Sequence, residues 1–105
     1  MKSFRITIMP EAKGQLRNYL KYLKINLKNE QAYHSVKADY EDTINRLKTL
    51  AGSINVCEHP KLAEREIRKI FFRKHDYVLL YRIKGDTAEV VSMFHTLEDY
   101  ENKIR

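Results

Sequence analysis

Five basic side chains fall within ten residues at Arg65, Arg68, Lys69, Arg73 and Lys74. Further along the chain stand a histidine, His95, and a tyrosine, Tyr100. Such a set can cleave RNA without a metal. A base takes the ribose 2′-proton and the freed oxygen attacks the adjacent phosphorus. An acid protonates the leaving 5′-oxygen, and cations stabilise the extra negative charge on phosphate. His95 and Tyr100 are the candidates for proton transfer, with Arg68 beside them as a catalytic cation. Arg65, Lys69, Arg73 and Lys74 are the candidates for holding RNA phosphate. Seven tyrosines and four phenylalanines offer stacking surfaces for bases. Phe71, Phe72, Tyr77 and Tyr81 are also explained as core residues of strands, which is the simpler reading for most of them.

Other chemistries lack their residues. The chain has no Gly-rich phosphate loop, no His-x-x-x-His pair, no Cys-x-x-Cys and no Gly-x-Ser-x-Gly. No metal site or cofactor is expected. The one cysteine, Cys57, excludes an internal disulfide and suits a reducing, cytoplasmic setting. His34, His59 and His75 are expected on the surface, at a helix, a loop and a hairpin respectively.

The elements that must position these groups follow from the hydrophobic pattern. Phe4–Met9 alternates as a strand, and Pro10 suits the first turn of a helix. Ala12, Leu16, Tyr19, Leu20, Leu23 and Leu27 recur at helical spacing to about Lys28, where Asn29 can cap a second helix. Tyr33, Val36, Tyr40, Ile44, Leu47 and Ala51 form that helix's stripe, and Gly52 stops it. Residues 52–65 read as a loop. Strands are expected at 67–73, 77–83 and 88–94, joined by tight turns at His75-Asp76 and Lys84–Thr87. The tail from Leu97 to Ile104 can make a short helix. The order β-α-α-β-β-β makes an α+β protein, with an antiparallel helical hairpin packed on one face of a mainly antiparallel sheet.

The chain has 105 residues, which is one domain, 1–105. Its hydrophobic share of 43% is too high for a disordered tail. No stretch is apolar enough to span a membrane or to serve as a signal peptide. The net charge is +6, with 20 Lys+Arg against 14 Asp+Glu. It is unevenly placed. The first helix and the strand cluster at 65–74 are basic, whereas the second helix is not. A polyanion or an acidic protein partner is therefore expected.

The chain resembles toxins of the RelE/ParE superfamily of bacterial type II toxin–antitoxin systems. The resemblance runs over nearly the whole length. It begins at Ile6-Thr7-Ile8-Met9-Pro10-Glu11-Ala12 and continues through the helical hairpin and Ile67-Arg68-Lys69. It is most specific at His75–Ile83 and Phe94–Asn102. It implies a cytoplasmic toxin held inactive by a cognate antitoxin, whose acidic or amphipathic segment covers the basic surface and the groove beside the hairpin. RelE-like members cut messenger RNA on the ribosome, and ParE-like members inhibit DNA gyrase. RelE-like nucleases often carry an arginine just after the residue matching Tyr77, where this chain has Val78. His95 falls near the terminal-strand histidine of YoeB-like nucleases, and Tyr100 could replace a C-terminal tyrosine. Arg68 matches an arginine found in both branches. The leading expectation is a ribosome-dependent endoribonuclease. The alternatives are a gyrase inhibitor without nuclease activity, and an inactive chain that only binds antitoxin.

Overall fold

The computed structural model describes residues 3–103. β1 (Arg5–Ile8) leads into α1 (Pro10–Lys21), and α2 (Glu30–Leu50) returns antiparallel to it. A short α3 (Pro60–Glu64) precedes β2 (Arg68–Phe71), β3 (Tyr77–Lys84) and β4 (Thr87–His95). The sheet order is β1-β4-β3-β2, with β1 parallel to β4 and the other pairs antiparallel. This is the α+β hairpin-on-sheet arrangement expected from the pattern. No helix among the described residues is long and apolar enough to cross a membrane.

Pro10 occupies the first turn of α1, where its missing N–H costs no hydrogen bond. The Asn29 side chain accepts from the Ala32 N–H and starts α2. Between them the helical stripe fails earlier than its spacing implies. Residues Tyr22–Asn26 form a π-turn, and the Leu27 N–H reaches back to the Tyr22 carbonyl at 3.0 Å. Each widened turn rotates the residues beyond it off the buried stripe. Leu27 is accordingly exposed, although its spacing assigned it to the core.

The sheet is covered on both faces. Val36, Leu47 and Ala51 of the hairpin region pack on Leu79, Tyr81, Val90 and Met93. The Tyr81 hydroxyl, fully buried, donates to the Ala51 carbonyl at 2.8 Å, and burial pushes its pKa up to about 12. On the opposite face Cys57, Leu62 and Ile67 cover Val78, Leu80 and Phe94, with Tyr100 of the tail beside them. Segment 52–65 is therefore not simply a loop. It holds a 3-10 turn at Ala51–Ser53 and the helix α3, whose Leu62 is fully buried. Burying one such leucine contributes about 1.5–3 kcal/mol towards a five-residue helix that would not form alone.

Of the two connections expected to be tight, one differs from expectation. The turn before β3 is longer than His75-Asp76, because β2 ends at Phe71 and the chain crosses to α2 before returning. There the buried Asp39 carboxylate accepts the backbone N–H groups of Lys74 and His75 at 3.0 and 2.9 Å. The turn between β3 and β4 is tight, and Gly85 takes a φ of 64° as the first residue of a two-residue loop. In the tail only Tyr100–Asn102 is helical, as one 3-10 turn, and Ile104 lies outside the described residues.

β1 pairs with β4 only from Thr87 to Val90, so the rest of that β4 edge lacks a strand neighbour. A polar row on α1, spaced at every fourth residue, takes its place. Glu11 accepts from the Ser92 hydroxyl, Gln15 from the Met93 N–H at 2.7 Å, and the Tyr19 hydroxyl from the His95 N–H at 3.2 Å. This satisfies backbone donors that would otherwise be bare and closes the edge to strand addition.

Candidate functional site

Side chains alternate across a strand, so the face of each candidate is set by its register. Ile70 and Met93 belong to the core beneath the helical hairpin. Arg68 and His95 share that face. Lys69 lies on the other face, with Tyr100 and the core around Cys57. The seven candidates therefore do not meet in one place.

Arg68 is engaged in holding the fold. Its Nη1 donates to the carbonyls of Ala51, Gly52 and Ile54, at 3.4, 3.3 and 2.7 Å. These lie where α2 ends, where carbonyls lack helical partners and a cation is favoured. Arg68 pairs in register with Tyr81, whereas His95 pairs with Tyr77. Those partners stand four positions apart on β3, about 13 Å along the strand.

The backbone N–H of His95 donates to both Tyr19 and Glu98. Its ring Nδ1 accepts the Leu97 N–H at 3.2 Å, and its ring meets Tyr77 edge-on at 5.2 Å. Glu98 is the hub of this corner. It accepts the Tyr19 hydroxyl and pairs with Lys103 at 2.9 Å. Burial acts to raise the Glu98 carboxyl, but the hydrogen bonds from Tyr19, Lys103 and the His95 backbone outweigh it and hold the carboxyl below its ordinary value. Burial and the same carboxylate raise the Tyr19 hydroxyl, so the shared proton stays on Tyr19.

Lys69 and Tyr100 do come together. The Lys69 ammonium donates to the Tyr100 hydroxyl at 3.2 Å and lies 3.9 Å from Glu101. It also sits over the rings of Phe71 and Tyr100, at 5.7 and 5.4 Å. Burial acts to lower the Lys69 ammonium, but the Tyr100 hydrogen bond and the electrostatic pull of Tyr100, Cys57 and Glu101 together outweigh it, and the net shift is upward. Tyr100 stacks on Phe94, with ring centroids 6.2 Å apart. The groove beside them has a volume of about 440 Å³ and is lined in part by Cys57, His59, Lys69, Phe71 and Glu101. Cys57 is buried, and that burial raises its thiol against the opposing pull of Lys69. His59 is half-buried, and its Nδ1 has no hydrogen-bond partner among the described residues.

The remaining cations are dispersed. Arg73 pairs with Asp42 at 3.3 Å, next to Arg46, which binds the same carboxylate at 3.2 Å. Arg65 is exposed beyond the end of α3, and Lys74 is exposed in the turn that Asp39 holds. No cluster of metal-ligating side chains occurs among the described residues.

Sequence reasoning missed Tyr19, Glu98, Asp39 and His59. Asp39 left a visible signal: an acid three residues after Val36 and eight before Leu47, on the apolar stripe of α2. Glu98 left none, because its Tyr19 partner comes from α1, 79 residues earlier in the chain.

The family model described as the ParE toxin of the type II toxin–antitoxin system, parDE, matches residues 6–100. The chain belongs to the ParE toxin family. A solved structure titled as the chromosomal ParDE toxin–antitoxin system from P. aeruginosa has a similar fold, with a TM-score of 0.70. Identity to it is 15%, over 89% of this chain and 96% of that one. No curated protein matches the sequence. In this ParE-family chain the position after Tyr77 is built into the core. Val78 is fully buried in the cluster containing Leu62 and Phe94. It gives apolar packing where a RelE-like nuclease often has an arginine.

Proposed function

We propose that the chain is a toxin that inhibits DNA gyrase by binding, without nuclease activity, and that a cognate antitoxin neutralises it. The observation carrying this reading is the placement of His95 and Tyr100 on opposite faces of the sheet, with Arg68 committed to three carbonyls. General acid–base cleavage needs its proton-transfer groups within reach of one phosphate. Neither face brings together the base, acid and cation set first expected. Membership of the ParE family supports the same reading, since ParE-like members are gyrase inhibitors. The toxin–antitoxin system named for the P. aeruginosa structure supports an antitoxin partner. The basic surface suits an acidic segment of that partner, and their association should slow as salt rises.

A second reading keeps one observation in its favour. Lys69 and Tyr100 touch, beside a groove that also holds His59. A nuclease built there would cut messenger RNA on the ribosome, using those residues in place of His95. Two assays separate the readings: plasmid supercoiling by purified gyrase, and primer extension on messenger RNA after induction. Inhibited supercoiling with intact transcripts supports the gyrase reading. Cut transcripts with normal supercoiling overturn it.

A further inference from the structure

The outer strands of the sheet are β2 and β1, and the fold treats their free edges differently. Beside β2, Val56 bridges Arg68, the Cys57 N–H donates to the Ile67 carbonyl at 2.8 Å, and Arg46 donates to the Phe71 carbonyl at 2.9 Å. Those contacts occupy backbone groups that a further strand would need. β1 has no such cover. The N–H groups of Arg5 and Met9 donate to the Asp86 and Val90 carbonyls, at 2.9 Å each. Strand residues alternate in the direction of their backbone groups. Arg5, Thr7 and Met9 therefore face β4, and Ile6 and Ile8 direct theirs outward. Among the described residues no backbone partner meets Ile6 or Ile8 on the outer side.

The open stretch has fixed ends. The Phe4 N–H is taken by the Lys48 carbonyl at 2.8 Å, and Pro10 has no N–H to give. Between them stands Ile6-Thr7-Ile8, which reads the same in both directions. A two-fold axis at Thr7 sets two such strands antiparallel, with Ile6 opposite Ile8 of a second copy on both sides of the axis. Each of those pairs exchanges its backbone bonds, and Thr7 faces Thr7.

α2 supplies the rest of the surface. Ile6, Ile8, Tyr40 and Ile44 line an open groove of about 670 Å³, with Glu41 and Lys48 also at its walls. The Phe4 bond fixes Lys48 beside the start of β1, and Glu41 stands two turns back along the same helix face. Both are exposed, and neither forms an ion pair among the described residues. A two-fold axis reverses the groove together with the strand. The Glu41 end of each groove then faces the Lys48 end of the other.

We propose that the β1 edge and this groove form the interface of a symmetric homodimer, in which two four-stranded sheets join across β1 into one. The occupant is a second copy of this chain. The palindrome at Ile6–Ile8 and the charge complementarity of Glu41 with Lys48 select it, because one patch meets itself across a two-fold axis. The inference goes beyond the gyrase reading and holds whichever protein is the target.

The test is sedimentation velocity of the purified full chain over a concentration series. The expected species has twice the 12.6 kDa chain mass and dissociates on dilution. Thr7→Lys sets two ammonium groups face to face and is expected to weaken dimerisation by about tenfold. Glu41→Lys and Lys48→Glu should each weaken it less, and the double reversal Glu41→Lys/Lys48→Glu should restore it. All three positions are exposed, and thermal melts confirm that each variant is folded. Cross-linking reads the register. Cα atoms of a facing pair without shared backbone bonds lie about 4.5 Å apart, within the roughly 4.4–6.8 Å that a disulfide spans. Thr7→Cys should therefore cross-link under oxidised glutathione, whereas Arg5→Cys, placed opposite Met9, should not. A monomer at every concentration overturns the proposal. So does a dimer that Thr7→Lys leaves intact, a double reversal weaker than either single variant, or cross-linking at Arg5→Cys as fast as at Thr7→Cys.

Discussion

His95 and Tyr100 lie on opposite faces of the sheet, although they are only five residues apart. The chain passes around the end of β4 between them, and Glu98 fastens the crossing to Tyr19 of α1. Side chains on opposite faces of a strand point away from each other, so one RNA phosphate is poorly placed to meet both. His95→Ala and Tyr100→Phe are therefore expected to keep the growth arrest of the parent chain. Viable-cell counts after induction measure this. Loss of arrest in a folded variant would return the nuclease reading to first place.

Arg68 gives a different expectation. Its guanidinium serves three carbonyls beyond α2, so its removal leaves them without that donor. Hydrogen bonds to charged groups are worth about 1.5–3 kcal/mol, and Arg68→Ala should lose a comparable amount in urea denaturation. Arg68→Lys should recover only part of it, because an ammonium lacks the planar fork. An Arg68→Ala variant of unchanged stability but lost activity would instead mark a functional arginine.

Asp39 is nearly excluded from solvent and holds the turn before β3 through two backbone N–H groups. Asp39→Ala strands both donors and should cost about 1–3 kcal/mol for each one left buried and unpaired. Asp39→Asn keeps an acceptor and should cost less. Hydrogen exchange at Lys74 and His75 reports the loss locally, with faster exchange expected at both amides in Asp39→Ala.

The Glu98 corner makes stability depend on acid. Its carboxyl is held below the ordinary value of 4.5 in the folded chain, so the unfolded chain takes up a proton first as pH falls. The stabilisation is then fully present above 4.5 and is lost as the pH drops through the lower, folded value. Melting temperatures of the parent chain and Glu98→Gln should differ near neutral pH and converge in acid. Parallel curves across the whole range would remove Glu98 as the source.

Much of this architecture was readable from the residues. Apolar runs at Tyr77–Ile83 and Ala88–Phe94 placed two strands, and Pro10, Asn29 and Gly52 placed helix ends near their observed positions. The π-turn was hidden, because Leu23 and Leu27 continue a normal helical spacing and nothing local signals the wider turn. The helix at Pro60–Glu64 was hidden because its existence depends on Leu62 packing against strands still to come in the chain. The candidate cations were correctly seen as a cluster in sequence. Strand alternation sends Arg68 and Lys69 to opposite faces, and that much follows from the sequence. What Arg68 binds depends on where α2 ends, which no local pattern encodes. Tyr100 could not be assigned a face until the path of residues 96–99 was known.

The central claim is that the chain acts by binding gyrase and not by cutting RNA. Plasmid supercoiling by purified gyrase, titrated with the purified full chain, tests it most directly. The account expects supercoiling to fall with increasing chain and to return when the cognate antitoxin is added. Normal supercoiling at saturating chain would contradict it.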